Sequence, residues 1–147
     1  WQYRFSLISS AYINYKNQNN LIIDIGTCIT YDFVDLNGTY LGGAISPGIT
    51  TRYKSLNQHT SNLPLLKYDK IDQILGLTTN ESIHIGVNTG VLGEISHYIN
   101  RLRNSYSDFN VIITGGDSIL LLNKIKNAIF ANQAFLETGQ NSIINLH

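Results

Sequence analysis

The hydrophobic positions of this chain change period several times along its length, and each change marks an element. Near the start, Phe5, Ile8, Tyr12 and Tyr15 fall three or four apart, which predicts an opening helix. An Asn-rich turn at 17–20 leads into Leu21-Ile22-Ile23-Asp24-Ile25, whose branched apolar residues predict a strand buried on both faces. Gly26-Thr27 breaks that strand, a second is expected over 28–34, and Asn37-Gly38 predicts a type I′ hairpin into a third at 39–41. The run from Gly42-Gly43 to Pro47-Gly48 then supplies glycines where backbone must be bare, and Pro47 suits the start of a helix ending near Leu56. Residues 57–72 are polar with one proline and read as an irregular connection. A long amphipathic helix follows: Ile83, Val87, Val91, Ile95, Ile99 and Leu102 form its apolar stripe, with Thr79 or Asn80 as cap and Glu81 in the first turn. Val111-Ile112-Ile113 predicts a short buried strand ending in Thr114-Gly115-Gly116-Asp117. Ile119, Leu120, Leu122 and Ile125 predict another helix, and 132–147 a last one, interrupted at Gly139.

Composition narrows the partners. The chain has 147 residues, 43% of them hydrophobic, enough for one core and one domain. Its 10 basic and 10 acidic side chains cancel, so no overall field draws nucleic acid or an anionic membrane, and neither partner is expected. A single cysteine, Cys28, excludes an internal disulfide framework and reads as a small buried strand residue. His59, His84, His97 and His147 lack the close spacing of zinc ligands. A reducing, cytoplasmic setting fits. No apolar run approaches the roughly 20 residues that span a bilayer, and the start lacks a signal-peptide layout. The helical pattern begins directly after Trp1, which suggests a cut through a longer protein.

The richest local chemistry lies in Asp24-Ile25-Gly26-Thr27-Cys28-Ile29-Thr30, where a buried strand ends on a carboxylate, a glycine and a hydroxyl. Handling phosphate needs these parts: glycine lets backbone N–H groups approach phosphate oxygens, Thr27 can donate a hydrogen bond, and Asp24 can hold a charge-offsetting cation. Asp-x-Gly-Thr also occurs in aspartic proteases, although the following hairpin and later glycine motifs have no place there. A strand-end Asp can also simply cap a turn. Thr114-Gly115-Gly116-Asp117, between a strand and a helix, can cradle a nucleotide or serve only the turn.

Taken in order, several motifs converge on one family. Asp24 through Tyr31-Asp32, the run 42–48, Arg52, Leu56, Thr60, Leu63-Pro64, Thr79, Gly86 and Thr114-Gly115-Gly116-Asp117 together resemble the type III pantothenate kinases. The segment 28–32 is similar to members from the Bacteroidetes. The resemblance implies an α/β, actin-like or ribonuclease H-like fold with a mixed sheet and flanking helices, this chain being the second of two duplicated lobes. It implies ATP-dependent phosphorylation of pantothenate to 4′-phosphopantothenate, the first step towards coenzyme A, by a homodimer. Carried over by position, Asp24 is the ligand of a monovalent cation, potassium or ammonium, with magnesium accompanying ATP. Gly26, Thr27, Gly115 and Gly116 would meet the nucleotide, and Arg4 and Thr79 would meet pantothenate. Two departures stand out. No Asp-x-Gly-Asn-Thr phosphate loop of a first lobe precedes Trp1, and Tyr3 occupies the family's Asp base position within Gly-x-Asp-Arg. A phenol, with a pKa of about 10, is a poor base at neutral pH. The chain alone is therefore expected to turn over poorly. A noncatalytic remnant, kept for dimerisation or regulation, is the alternative.

Overall fold

The computed structural model describes residues 2–132 together with Phe135 and Glu137. Its elements are α1 (Gln2–Asn14), β1 (Asn20–Ile25), β2 (Cys28–Val34), β3 (Tyr40–Pro47), α2 (Ile49–Gln58), α3 (Thr79–Ser105), β4 (Asn110–Thr114), a 3₁₀ turn (Ser118–Leu121) and β5 (Ala128–Phe130). The five strands form one mixed sheet in the order β3-β2-β1-β4-β5. β1, β2 and β3 are antiparallel neighbours, whereas β4 lies parallel to β1 and β5 parallel to β4. The central strand β1 is buried on both faces, as its unbroken apolar run predicts. Leu21, Ile23 and Ile25 face a large core closed by α2 and α3, while Ile22 faces a smaller one closed by α1.

The long helix matches its stripe: Ile83, Val87, Val91, Ile95 and Ile99 all enter the larger core. Its cap is Thr78, not Thr79 or Asn80. The Thr78 hydroxyl accepts from the Glu81 N–H at 3.2 Å and the Glu81 carboxylate accepts from the Thr78 N–H at 3.1 Å, a reciprocal capping box.

Four other expectations change. The opening helix exists, but Leu7, Ile8 and Ala11 line its buried face, and Phe5 and Tyr12 are exposed. Small residues bring α1 close to the sheet, and the buried Ser10 hydroxyl is satisfied by the Ser6 carbonyl at 2.8 Å. The hairpin between β2 and β3 is not type I′. Asn37 keeps a negative φ, Gly38 alone takes φ 83°, and the Asp35 side chain accepts from the Asn37 and Thr39 N–H groups. A register shift at Phe33/Val34 accompanies this longer loop. β3 runs on to Pro47, so Gly42 to Ser46 is strand rather than loop. Gly43 is required there, since a Cβ would lie 1.9 Å from the Tyr31 carbonyl oxygen. The helix expected after Asp117 is only a 3₁₀ turn. Asn123 and Asn127 take left-handed φ of 65° and 57°, which ends helical growth and releases the chain into β5. The expected helix over 132–147 lies almost wholly outside the described residues.

Candidate functional site

Because the β1–β2 and β1–β4 registers pair Asp24 with both Thr30 and Thr114, three oxygen-bearing side chains share one face at the end of β1. That is the α1 face, and α1 brings Tyr3 and Arg4 towards it. Burial holds the Asp24 carboxyl above the ordinary carboxylate range, and the charge of Asp32 adds to the effect. Thr30 Oγ1 is buried with no hydrogen-bond partner among the described residues. An orphaned hydroxyl opposite a carboxylate whose charge is disfavoured fits a cation supplied from outside, which would take oxygen ligands from both. Among the described residues no group of three or more His, Cys, Asp or Glu could hold a metal.

Beside Asp24 sits a buried ion pair. Asp32, 1% exposed, accepts from Arg4 Nε at 3.0 Å and Arg4 Nη2 at 2.5 Å, and from the Tyr40 hydroxyl at 2.8 Å. This fork anchors the start of α1 to β2. Tyr3 is 46% exposed, and burial, followed by the nearby Asp24 charge, raises its phenol further above the usual tyrosine range.

Two glycine turns flank Asp24. Gly26-Thr27 joins β1 to β2, and Gly115-Gly116 follows β4, tied back by the Asp117 N–H to the Ile25 carbonyl at 3.0 Å. Gly115 is demanded by packing: φ is 98°, and a Cβ would stand 2.4 Å from Asp24 Oδ1. Gly26 and Gly116 are different, because a Cβ on either meets nothing within 4 Å. Space beside both is open, although the Gly26 N–H already donates to the Cys28 carbonyl at 3.0 Å, and Thr27 is exposed beside them. Cys28, expected to be buried, is exposed at the same turn, because it occupies the first position of β2, beyond the core.

Asp24, Gly26, Thr27, Gly115, Gly116, Tyr3 and Arg4 thus gather around one strand end. Thr79 does not join them. It lines a separate, largely apolar groove of about 540 Å³ between α2 and α3, with Pro47, Arg52, Leu56, Ser82 and Gly86. Sequence reading missed Thr30 and Asp32 as site residues. The signal was present: they are the polar positions of an alternating strand whose other residues, Ile29, Tyr31 and Phe33, face the larger core. It also missed Glu94, which binds Tyr31, Ser46 and Arg52 and sits on the polar side of a helix, where a charge is unremarkable by pattern.

Residues 4–101 match the family model of type III pantothenate kinase. The chain is 47% identical over 133 residues to the type III pantothenate kinase of Flavobacterium johnsoniae, covering 90% of this chain and 54% of that protein. It is 39% identical over 142 residues to that of Bacteroides fragilis, covering 97% of this chain and 58% of the relative. The chain therefore spans somewhat more than half the length of these relatives. Among solved structures, a Baf family transcriptional activator from Campylobacter jejuni superposes with a TM-score of 0.63 at 26% identity, covering 95% of this chain and 63% of that one. The activator of the 2-hydroxyisocaproyl-CoA dehydratase from Clostridium difficile, with bound ADPNP, superposes at 0.51 with 15% identity, covering 98% and 68%, a likeness of actin-like fold alone.

Proposed function

Since this chain belongs to the type III pantothenate kinase family, we propose that it is the second lobe of an enzyme that transfers the γ-phosphoryl group of ATP to the hydroxyl of pantothenate. The product is 4′-phosphopantothenate, and the step opens coenzyme A synthesis. The observation that carries this reading is the end of β1, where Asp24 lies between two glycine turns whose outer faces are open. Phosphoryl transfer is catalysed mainly by positioning and charge neutralisation, so bare backbone and a carboxylate that can hold a cation are the parts this lobe would contribute. In this reading the Thr27 N–H and hydroxyl and the N–H groups of the Gly115-Gly116 turn meet the nucleotide, at the open side of Gly26, whose own N–H is held by the Cys28 carbonyl. Asp24 and Thr30 hold a monovalent cation, potassium or ammonium, which would offset phosphate charge, and magnesium travels with ATP. Arg4 would contact pantothenate beside the strand end, whereas Thr79, in its separate groove, is not brought to the same ligand within this lobe. Arg4 is already engaged by Asp32, so it would act as a fixed donor rather than a mobile clamp.

A homodimer belongs to the same proposal. The α3 stripe is consumed by the chain's own core, so pairing would fall to other surfaces. Ile74, Leu75 and Leu77, 87%, 82% and 95% exposed, are apolar residues available for it. A cytoplasmic setting is proposed too. Among the described residues no helix is long and apolar enough to cross a membrane.

Potassium dependence tests the reading. In the full-length kinase carrying this chain, pantothenate-dependent ADP release should be higher in potassium or ammonium than in sodium, and Asp24→Asn should remove the difference. An unchanged cation response in Asp24→Asn would refute the assignment of Asp24.

A further inference from the structure

Behind the Gly26-Thr27 turn lies a chain of polar contacts that begins on α3. Glu94 Oε1 accepts from the Tyr31 hydroxyl at 2.7 Å and from the Ser46 hydroxyl, while Oε2 accepts from Arg52 Nη2 at 2.5 Å. Arg52 Nε donates to the Pro47 carbonyl at 2.9 Å, so one guanidinium ties the end of β3 to the middle of α3. The next residue, Gly48, donates its N–H to the Thr27 carbonyl at 2.9 Å, and the Thr51 hydroxyl donates to the same oxygen at 2.6 Å. Contact there is backbone on backbone: a Cβ on Gly48 would lie 1.9 Å from the Gly26 carbonyl oxygen. Both hydrogen bonds hold the Thr27 carbonyl against the start of α2, while the Thr27 side chain is exposed.

We propose that Glu94, acting through Arg52 and the Pro47-Gly48-Thr51 segment, is a positioning residue that sets where the Gly26-Thr27 turn meets the nucleotide phosphates. The inference rests on the reading of that turn as a phosphate contact. A carboxylate that fixes three donors from β2, β3 and α2 makes the turn a rigid surface. Phosphate contacts tolerate little displacement: about 1 Å of misplacement can cost on the order of 10²-fold in rate. The groove beyond Arg52 shares this brace, so Arg52 itself is a poor test residue, but Glu94 and Thr51 do not line the groove.

The test uses Glu94→Gln and Thr51→Val in the full-length kinase, with KM measured separately for ATP and pantothenate and with thermal melting as a check of folding. Each variant is expected to raise the KM for ATP by about tenfold, the scale of one lost hydrogen bond, charge-assisted at Glu94 and neutral at Thr51, while the KM for pantothenate stays within about twofold. A merely structural Glu94 would lower the melting temperature and leave the KM for ATP alone, and that result overturns the proposal, as does an equal rise in both KM values. If Glu94→Gln does not fold, Thr51→Val decides the matter by the same criterion. If neither the parent protein nor its Tyr3→Asp variant shows pantothenate-dependent turnover, the kinase reading fails, and ADP affinity by calorimetry becomes the readout. Weaker ADP binding in both variants then sustains the brace, whereas unchanged affinity, or a parent that does not bind ADP, overturns it.

Discussion

Asp24 is a carboxylate held where its charge is disfavoured, by burial first and by Asp32 second. Its folded pKa lies above the ordinary value of 3.8, so the native state binds its proton more tightly than the unfolded chain does. The stability it contributes is intact below that ordinary value and is lost as the pH rises through the raised pKa. In cation-free buffer, Asp24→Asn should therefore raise the melting temperature at pH 7, with the gain shrinking towards zero in acid below the ordinary carboxylate range. A lower melting temperature at pH 7 would mean that the charge is already paired by the protein. Gly115 offers a second residue-scale test. A side chain there is strained by its φ of 98° and collides with Asp24, so Gly115→Ala should cost about 1–3 kcal/mol in urea denaturation. Gly116→Ala, with open space around its Cβ, should cost much less and is read instead through nucleotide binding. Sequence alone marked both glycines but could not separate them, because which one packs and which one faces outward is decided by the turn around the end of β1.

Among the elements, strand and helix existence was legible wherever the pattern was strong. β1, β2, α3 and β4 lie where their apolar runs and stripe put them, since burial on one or two faces writes itself into residue type. What failed was local. The face of α1 was misjudged because aromatic residues weigh heavily in a periodic pattern, whereas this helix packs through Leu7, Ile8 and Ala11 among small residues. β3 was cut short because glycines read as loop, although Gly43 is there to admit the Tyr31 carbonyl and Asp32. β5 was missed behind two asparagines whose left-handed geometry no apolar pattern reveals. The cap of α3 was misplaced by one residue, and it can be checked directly. Thr78→Ala removes the side chain that accepts from the Glu81 N–H and should cost about 1 kcal/mol, whereas Thr79→Ala should leave stability nearly unchanged. A loss in urea denaturation for Thr79→Ala with none for Thr78→Ala would return the cap to Thr79.

For the molecule as a whole, the family and the fold were legible from motif order, and the gathering of Asp24, Gly26, Thr27, Gly115 and Gly116 at one strand end follows the same order in space. Thr79 stands apart from that cluster because it starts α3 beside the α2 groove, and no spacing along the chain conveys that separation. In the proposed reaction Tyr3 stands where the family resemblance puts an Asp base. Its phenol, pushed further up by burial and by Asp24, would take an acceptor hydroxyl proton far less readily than a carboxylate would. The deciding measurement is the rate of 4′-phosphopantothenate formation, followed by mass spectrometry in potassium buffer, for the full-length kinase carrying this chain with and without Tyr3→Asp. Slow product formation with Tyr3, rising by about 10²- to 10⁴-fold in Tyr3→Asp, is the predicted result. Absence of product in both proteins while each binds ATP would contradict pantothenate phosphorylation, and equal rates in both would contradict the role given to position 3.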